Sequence, residues 1–372
     1  MHHYNHLGRY TRWRHQHGNP GHGSAHMKPV TINVQRGLTL IELMIAMTLG
    51  LLLIMGVGNI FLSNQQAFRT SENLAGVQEN TRIAFELLSR EVREAGSNPC
   101  GAQVIVNALN PSGTPTIADS WTTPIRGYDN SQDYASVPTG TATGNRVAGT
   151  DAILLISGSA NSNAAIVDHQ VTSAQFKVSS TAHGLKAGDI AMVCNYKVAS
   201  IFQVTNASNS SVTIVHNSGT GSPGNCTKGL GMRDPATLSC SKPLGYLEDF
   251  TGGSFVIFKA GFWYIGNNSR GGRSLFRYSP TDNTTDEMVD NVTDMQIDYL
   301  TENPATKTLA TGYVGASSIT DWNTTTSTAV AIAARLNLTL ETRDKIDNTQ
   351  TTATTVKRDM FSTVQIRARE SL

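Results

Sequence analysis

The sequence predicts an α+β protein in which a long N-terminal helix packs on a large, mostly antiparallel β-sheet domain. Two observations carry this prediction. A membrane-length apolar run is followed by a stripe of apolar residues at helical spacing. The remaining chain consists of short β-branched segments bounded by Gly, Asn, Asp and Ser. A chain of 372 residues is long enough for one large domain or two modest ones.

The first 37 residues form a polar, basic front end. They carry five basic residues and no acidic ones, whereas residues 38–372 carry 24 basic and 28 acidic residues. A basic segment before an apolar run is typical of a segment held on the cytoplasmic side of a membrane. Seven of the ten histidines lie in residues 1–26. We interpret them as an extension without a role in the mature protein, with Met27 as an alternative translation start, in preference to a metal-binding tract.

The apolar run from Leu38 to Leu62 contains 25 residues and one charge, Glu42. As a helix it would be about 37 Å long, enough to cross a bilayer. A secretory signal peptide does not fit, because its cleavage site follows the apolar core, whereas here the polar-to-apolar junction comes first. A carboxylate inside a membrane helix costs about 2.5–3.5 kcal/mol and needs a partner. A cut between Gly37 and Leu38 would create an α-amine able to pair with Glu42 of a neighbouring subunit.

This junction resembles the class III signal of type IV pilins and type II secretion pseudopilins. It reads Gly37 and then Leu38-Thr39-Leu40-Ile41-Glu42. The resemblance implies cleavage after Gly37 by a prepilin peptidase, N-methylation of Leu38, and a docking role for Glu42 in the filament. Leu38 departs from the more usual Phe or Met. The architecture of that family, a long helix laid on an antiparallel sheet, agrees with the predicted fold class.

Further segments resemble minor pilins of the PilW family. The similarity spans residues 37–372 and is strong over the helix but patchy beyond it. Its segments are 77–88, 90–96, 188–194, 201–205, 275–277, 288–292 and 361–367. Residues 106–150 and 305–330 carry no such resemblance. The family implies a complex with other minor pilins and the major pilin that primes assembly at the filament tip, with a large tip adhesin as a further partner.

The second half of the helix, residues 63–96, is predicted to be amphipathic. Its buried stripe comprises Leu74, Val77, Ala84, Leu88, Val92 and Ala95. Gly96 and Pro99 end the helix, which is therefore about 58 residues long. A stripe of this kind requires a covering surface, so we expect this half to lie on the β-rich domain.

Beyond the helix, alternation of β-branched residues predicts eleven strands. They are Ala152–Ile156, Gln175–Ser179, Ile190–Asn195, Ile201–Val204, Val212–Val215, Ser254–Lys259, Phe262–Ile265, Ser274–Tyr278, Val289–Leu300, Ala329–Glu341 and Met360–Arg367. Stretches rich in Ser, Thr, Asn and Gly predict long loops over residues 107–150, 216–245 and 303–328.

The four cysteines all follow the apolar run. An even number in a chain expected to be exported suggests two disulfides. Three pairings are open. Cys226 with Cys240 is the local choice, which would leave Cys100 with Cys194. The absence of a CxxC unit disfavours a zinc site.

We find no catalytic motif in the sequence, and we expect neither an enzyme nor a cofactor or metal. The GxGxxG match at residues 219–224 is interpreted as a loop, since no helix signal follows it. His169, His183 and His216 are interpreted as isolated surface or turn residues. The acidic cluster Asp282, Asp286, Glu287 and Asp290 is interpreted as a solvated loop in preference to a calcium site. Phe262, Trp263, Tyr264 and Trp322 are assigned to core and edge-strand packing.

The predicted organisation has four parts. They are a cleaved leader at 1–37, a transmembrane half-helix at 38–62, an amphipathic half-helix at 63–96, and a β-rich domain at 97–372. We expect the chain in the inner membrane with its domain in the periplasm, and on the pilus after assembly. The alternatives are a minor pseudopilin of type II secretion, a membrane-tethered binding protein or enzyme, and a DNA-uptake pilin. The mildly acidic body argues against a nucleic-acid partner.

Overall fold

The computed structural model describes residues 39–97, 99–101, 104–110, 120–130, 132–231, 245–324, 326–343 and 355–366. The chain divides into two compact units, Met1–Asn64 and Gln65–Leu372. Helix α1 (Leu40–Glu94) begins in the first unit and ends in the second. The predicted leader and Leu38, the predicted first helical residue, lie outside the described residues.

In the first unit, the large apolar side chains of α1 are exposed. Leu40, Ile54 and Phe61 keep 78%, 68% and 66% of their surface accessible. By length and composition, α1 is apolar enough to cross a membrane. A soluble protein rarely leaves so large an apolar surface open to water, so this part of the helix requires lipid or other helices around it.

In the second unit, α1 buries one face, as the apolar stripe predicts. Val77, Ala84, Leu88 and Val92 are buried. Leu74 was predicted to belong to the stripe but is exposed, so the buried face begins at Val77. The helix ends at Glu94.

Gly96 terminates the helix as predicted. It adopts a φ of +73°, a conformation that glycine reaches without a Cβ penalty. Its N–H then donates to the carbonyl of Ile156 at 2.8 Å, which ties the end of the helix to the sheet.

Fifteen strands form in the described residues. They are β1 (Val104–Asn107), β2 (Ile125–Tyr128), β3 (Ala152–Gln170), β4 (Gln175–Val178), β5 (Ile190–Cys194), β6 (Val198–Gln203), β7 (Thr213–Val215), β8 (Ser254–Asn267), β9 (Arg273–Ser279), β10 (Thr284–Asp290), β11 (Val292–Asn303), β12 (Thr308–Leu309), β13 (Val314–Gly315), β14 (Val330–Glu341) and β15 (Lys357–Gln365).

The strands build two sheets. The ten-stranded sheet has the central order β1-β6-β5-β8-β3-β4-β7, with β2 on β3 and the β9-β10 hairpin on the second half of β8. The five-stranded sheet has the order β12-β11-β14-β15, with β13 also on β11. Strand pairs are antiparallel except β1 with β6. The predicted α+β fold, a long helix with a mostly antiparallel sheet domain, is therefore confirmed.

Four short strands were not predicted: β1 precedes the first predicted strand, and β2, β12 and β13 form within stretches predicted as loops, 107–150 and 303–328. The boundaries of the predicted strands differ most in three places. Ala260 and Gly261 keep their pairing with β3, so the two strands predicted around them are a single strand, β8. Asn291 has a φ of +60°, and this turn residue divides the predicted strand Val289–Leu300 between β10 and β11. The strand predicted at Ala152–Ile156 continues to Gln170 as β3.

Hydrophobic side chains of the second unit form four clusters in the described residues, and two of these clusters bear on the site. The helix core joins the buried face of α1 to both sheets, through side chains such as Ile153, Trp263, Tyr299 and Leu336. The lobe core lies among strands β1 and β4 to β7, the second half of β3 and the start of β8. It contains Phe176, Phe202, Ile214, Phe250 and Phe255. Because β3 and β8 are long, they contribute to both cores.

A disulfide joins the segment after α1 to the end of strand β5. Cys100 and Cys194 are bonded, and they are 94 residues apart in the chain. Cys194 is the last residue of β5, which lies between β6 and β8. Cys226 is disulfide-bonded as well, while Cys240, its predicted partner, lies outside the described residues.

Candidate functional site

The first turn of α1 holds Glu42, the residue predicted to dock the helix in a filament. The N–H and the hydroxyl of Thr39 both donate to Glu42 Oε2 at 3.0 Å. In return, the N–H of Glu42 donates to Thr39 Oγ1 at 3.3 Å. Thr39 directly precedes the helix, so the two residues form a reciprocal capping box, which satisfies backbone donors at the helix start.

This cap lies in an otherwise apolar surface. The neighbours Leu40, Ile41, Leu43 and Met44 are all exposed. Glu42 is the one charged residue between Leu38 and Leu62, so its carboxylate must find hydrogen bonds or a cation wherever this surface is covered by lipid. Thr39 supplies two such bonds within the same chain.

The predicted cleavage and methylation residues, Gly37 and Leu38, lie outside the described residues. They stand directly before Thr39 in the sequence. A cut between them would place an α-amine one residue before the cap. Both the cut and the methylation of Leu38 remain predictions.

Sequence analysis missed a second polar feature of the helix, the contact of Glu91 with the sheet. The indole N–H of Trp263 donates to Glu91 Oε2 at 2.8 Å. Arg277 Nε lies 3.2 Å from Glu91 Oε1, which makes an ion pair. Gly261 leaves the necessary space, since a Cβ there would lie 2.8 Å from Arg277 Nε and 2.9 Å from Glu91 Oε2. These contacts hold the last turns of α1 on β8 and β9.

A further contact holds the helix nearer its middle. Asn80 Nδ2 donates to the backbone carbonyl of Asp290 at 3.1 Å. Asp290 is the last residue of β10, directly before the turn at Asn291. Besides its buried apolar face, the amphipathic half of α1 is therefore held by polar contacts at two positions, Asn80 and Glu91.

The prediction that the histidines are surface or turn residues is wrong for His169, His183 and His216, which are all buried. His183 accepts a bond from the N–H of Leu185 at its Nδ1. His169 and His216 approach each other in the lobe core, with their Nε2 atoms 3.1 Å apart. The aromatic ring of Phe176 packs against both. Both ring nitrogens of His169 and Nε2 of His216 have polar partners, which offsets the cost of burying them, whereas His216 Nδ1 has no hydrogen-bond partner among the described residues.

Burial keeps the histidine pair neutral. It lowers the pKa of His169 to about 4 and that of His216 to about 3. The N–H of Phe250 donates to His169 Nδ1 at 3.2 Å, which leaves His169 Nε2 as the donor to His216. In the part of the chain that the structure describes, no group of three or more His, Cys, Asp or Glu residues is placed to hold a metal ion.

Three residues of the acidic cluster lie on a strand and not in the predicted loop, whereas the prediction of solvent exposure holds for Asp282, Asp286 and Glu287. Asp286, Glu287 and Asp290 lie on β10. Arg270 forms ion pairs with both Glu287 and Asp290, so an internal cation offsets part of the negative charge of these two carboxylates. Asp282, at the preceding turn, accepts a bond from Ser279 Oγ at 2.7 Å.

The other motifs lie where the sequence indicates. Residues 219–224 form a loop without a following helix. Phe262, Trp263 and Tyr264 are buried in β8. Trp322 packs edge-on against Tyr299, with 4.9 Å between ring centroids.

Two family comparisons match this chain. Residues 262–370 match the family described as Type IV Pilus-assembly protein W, PilW. Residues 32–58 match the prokaryotic N-terminal methylation motif. The chain has no significant match among curated proteins or solved structures. The methylation motif includes Gly37, Leu38 and the Thr39–Glu42 cap. The other match begins at Phe262 in β8 and includes the strands of the helix core from β9 to β15, whereas the residues of the lobe core precede it.

Proposed function

We propose that this chain is a minor pilin of the PilW family that joins a complex priming pilus assembly and occupies the pilus tip, because residues 262–370 match Type IV Pilus-assembly protein W and residues 32–58 match the N-terminal methylation motif. The observation that carries the proposal is the Thr39–Glu42 cap at the head of an exposed apolar helix. In an ordinary membrane anchor this carboxylate would serve only as a cap for its own helix, whereas in a filament it also provides a specific docking point between subunits.

In this proposal, a prepilin peptidase cuts after Gly37 and methylates Leu38. Before assembly, residues 38–62 cross the inner membrane and the β-rich domain lies in the periplasm. The basic residues of the leader support this orientation, because cytoplasmic flanks of membrane helices are enriched in Lys and Arg. After the cut, the leader is absent from the functional protein.

Glu42 then takes part in docking. In the unassembled chain, Thr39 donates both of its bonds to the carboxylate. In the filament, the α-amine of a neighbouring subunit offers a cation, and a charge-assisted bond is stronger than a neutral one. Docking therefore replaces an internal cap with an intersubunit ion pair. The partners are other minor pilins, the major pilin and a large tip adhesin.

In this proposal, the protein acts through its docking surfaces and not through an active site. His169, His216 and Asp151, whose pKa values are shifted by burial, are bonded to neighbouring protein groups. Groups placed in this way stabilise the fold and do not meet a substrate.

The cleavage step is tested by substituting Gly37. Gly37→Val is expected to leave the protein at precursor size, whereas Gly50→Val, at a helical glycine with no neighbour within 4 Å of its added Cβ, should be processed normally. Gel mobility and the N-terminal mass of the purified chain distinguish the two. A Gly37→Val protein that begins with methylated Leu38 would contradict the proposal.

The docking step is tested by substituting Glu42. Glu42→Ala should be cut normally but should recover far less of the other minor pilins when the complex is isolated from membranes. Glu42→Asp keeps the charge and should retain part of the association. Equal recovery and equal piliation for all three proteins would remove the role proposed for this carboxylate. Recovery of type II secretion components, in place of pilus components, would assign the chain to secretion.

A further inference from the structure

Among the residues that the structure describes, the longest regular sheet edge belongs to β15. All nine of its residues pair with β14 without a shift in register. In the described part of the chain, no strand pairs with the other side of β15. The remaining sheet edges in the described residues are β1, β2, β7, β12 and β13, of two to four residues, the first half of β11, which neither β12 nor β13 covers, and β10, which is interrupted by a bulge between Glu287 and Val289. Short or bulged edges resist the addition of a further strand.

The hydrogen bonds between β15 and β14 show which backbone N–H and C=O groups of β15 point away from the sheet. The N–H of Ile366 donates to Ile332 at 2.9 Å, and the N–H of Thr342 donates to Val356 at 3.0 Å. Hydrogen-bonded pairs alternate along an antiparallel ladder, so the even-numbered residues of β15 bond to β14. The odd-numbered residues Phe361, Thr363 and Gln365 therefore direct their N–H and C=O groups away from the sheet.

The side chains of this edge lack the usual protection against pairing. Val364 is buried on the helix-core side, whereas Phe361 points outward and is 79% exposed. No charged residue lies between Met360 and Ile366. Natural edge strands are commonly protected by Lys, Pro or bulges, and this window has none of them. Exposed Phe361 adds an apolar anchor beside the open main-chain groups.

The N-terminal end of β15 carries positively charged side chains. Lys357 and Arg358 are both exposed, and Lys357 already forms an ion pair with Glu341 at 2.7 Å. A segment running antiparallel to β15 would place its C-terminal end here, where a carboxylate would meet Arg358.

We propose that β15 receives an extended segment of a different chain, which adds as an antiparallel strand along Phe361, Thr363 and Gln365. Its apolar side chain packs on Phe361, and its carboxylate, from an acidic residue or a chain terminus, lies beside Arg358. Main-chain bonds supply the affinity and the Phe361 contact supplies the selectivity, as in other cases of strand addition. This inference rests on the proposed function, because a subunit of an assembled tip complex is what would present such a segment.

A second copy of this chain fits the edge less well. If two β15 strands pair antiparallel about Phe361, Lys357 faces Gln365 and Asp359 faces Thr363. No opposite charges meet in that arrangement, and Arg358 gains no partner. Cross-strand pairs of opposite charge stabilise a ladder, so the edge favours a partner with an acid at its end.

Proline substitutions test the edge with an internal control. Thr363→Pro removes an N–H that faces outward and is compatible with an edge position, whereas Thr363→Val keeps that N–H. In full-length protein isolated with its assembly partners, Thr363→Pro should lower recovery of the partner about fivefold to tenfold, and Thr363→Val should not. The amides of Phe361 and Gln365 should exchange slowly in the complex and quickly in the isolated full chain.

The outcomes separate this inference from the proposed function. Loss of partners with Glu42→Ala but not with Thr363→Pro, with fast exchange at Phe361 in the complex, would overturn the edge proposal and leave the pilin assignment intact. Loss with neither variant would count against both. A photo-crosslinker replacing Phe361 should attach to an extended segment of a different chain; attachment to a second copy of β15 would overturn the choice of partner. The thermal unfolding of Thr363→Pro, compared with that of the unsubstituted chain, shows whether the variant is folded.

Discussion

Trp263 donates its indole N–H to Glu91 at 2.8 Å, which links the middle of β8 to the last turns of α1. The indole is buried within the helix core. Glu91 also faces the guanidinium of Arg277. One helical carboxylate therefore satisfies a buried donor and a partly buried cation on two different strands.

Replacing Glu91 should loosen the helix from the sheet. Glu91→Ala leaves the Trp263 N–H without an acceptor and Arg277 without its ion pair, so we expect the free energy of unfolding to fall by about 1–3 kcal/mol. Glu91→Gln retains an acceptor, so its free energy of unfolding should fall by less. Urea unfolding of the detergent-solubilised protein measures both. Glu86→Ala, on the exposed side of the same helix, is the control, and an equal loss for Glu86→Ala and Glu91→Ala would contradict this assignment.

The buried histidine pair should make the lobe sensitive to acid. Both pKa values lie below the ordinary value of 6.5, at about 4 for His169 and about 3 for His216. The unfolded chain therefore binds protons that the folded chain does not, and stability falls as the pH drops below about 6.5. Each histidine contributes a slope of about 1.4 kcal/mol per pH unit until its folded pKa is reached.

Two variants isolate this effect. His216→Gln keeps an acceptor for His169 and should reduce the slope to that of one histidine. Asp151 acts in the opposite sense, because burial raises its pKa to about 6 and its contribution to stability is lost as the pH rises through that value. Asp151→Asn should therefore steepen the fall in acid. The measurement is the free energy of unfolding from pH 7 to pH 4.5, and a flat profile for the unsubstituted protein would refute the prediction. Asp249 and Asp168, which face His169, raise its pKa and moderate the effect.

Removing the Cys100–Cys194 disulfide should destabilise the second unit. The bond spans 94 residues, and the loss of a cross-link of that length lowers stability by about 4 kcal/mol in the chain-entropy description. We expect the double variant Cys100→Ser with Cys194→Ser to unfold at a lower urea concentration. The unsubstituted, oxidised protein provides the comparison, because reductant would also break the disulfide of Cys226. Unchanged unfolding of the double variant would show that the cross-link does not constrain the unfolded chain.

Thr39 should control the first turn of α1. Thr39→Ala removes the hydroxyl that accepts from the Glu42 N–H and donates to its carboxylate. Loss of such a cap costs about 1 kcal/mol, so the Glu42 amide should exchange about fivefold faster in detergent micelles. Thr39→Ser keeps the hydroxyl and should behave like the unsubstituted chain. If the Glu42 amide exchanges equally in all three proteins, the cap does not form in an apolar environment.

The helix was the part of the fold most accessible to sequence analysis. Spacings of three and four residues predicted the burial of Ala84, Leu88 and Val92, and Gly96 marked the end of the helix. Leu74 follows the same spacing but is exposed. Periodicity shows which face of a helix is apolar, but it does not show how far the covering surface extends.

The polar contacts in the interior could not be predicted from the sequence in the same way. His169 and His216 are 47 residues apart in the chain, and neither position carries a local pattern that brings them together. Glu91 looks like any other exposed charge on an amphipathic helix until Trp263 and Arg277 are placed opposite it by strand pairing. The acidic residues of β10 resemble a loop because the strand is an exposed edge, where apolar alternation is not required. Partners of this kind arise from tertiary structure alone.

The Cys100–Cys194 bond also defines the route by which a pulling force would travel through the protein. Cys100 lies six residues after the last residue of α1. Tension on the helix therefore passes through a short tether and a covalent bond directly into β5, between β6 and β8. The intervening residues, from the turn after Cys100 to the start of β5, are bypassed. A subunit held in a filament under load could then lose local structure in that bypassed stretch without being pulled apart between its helix and its lobe.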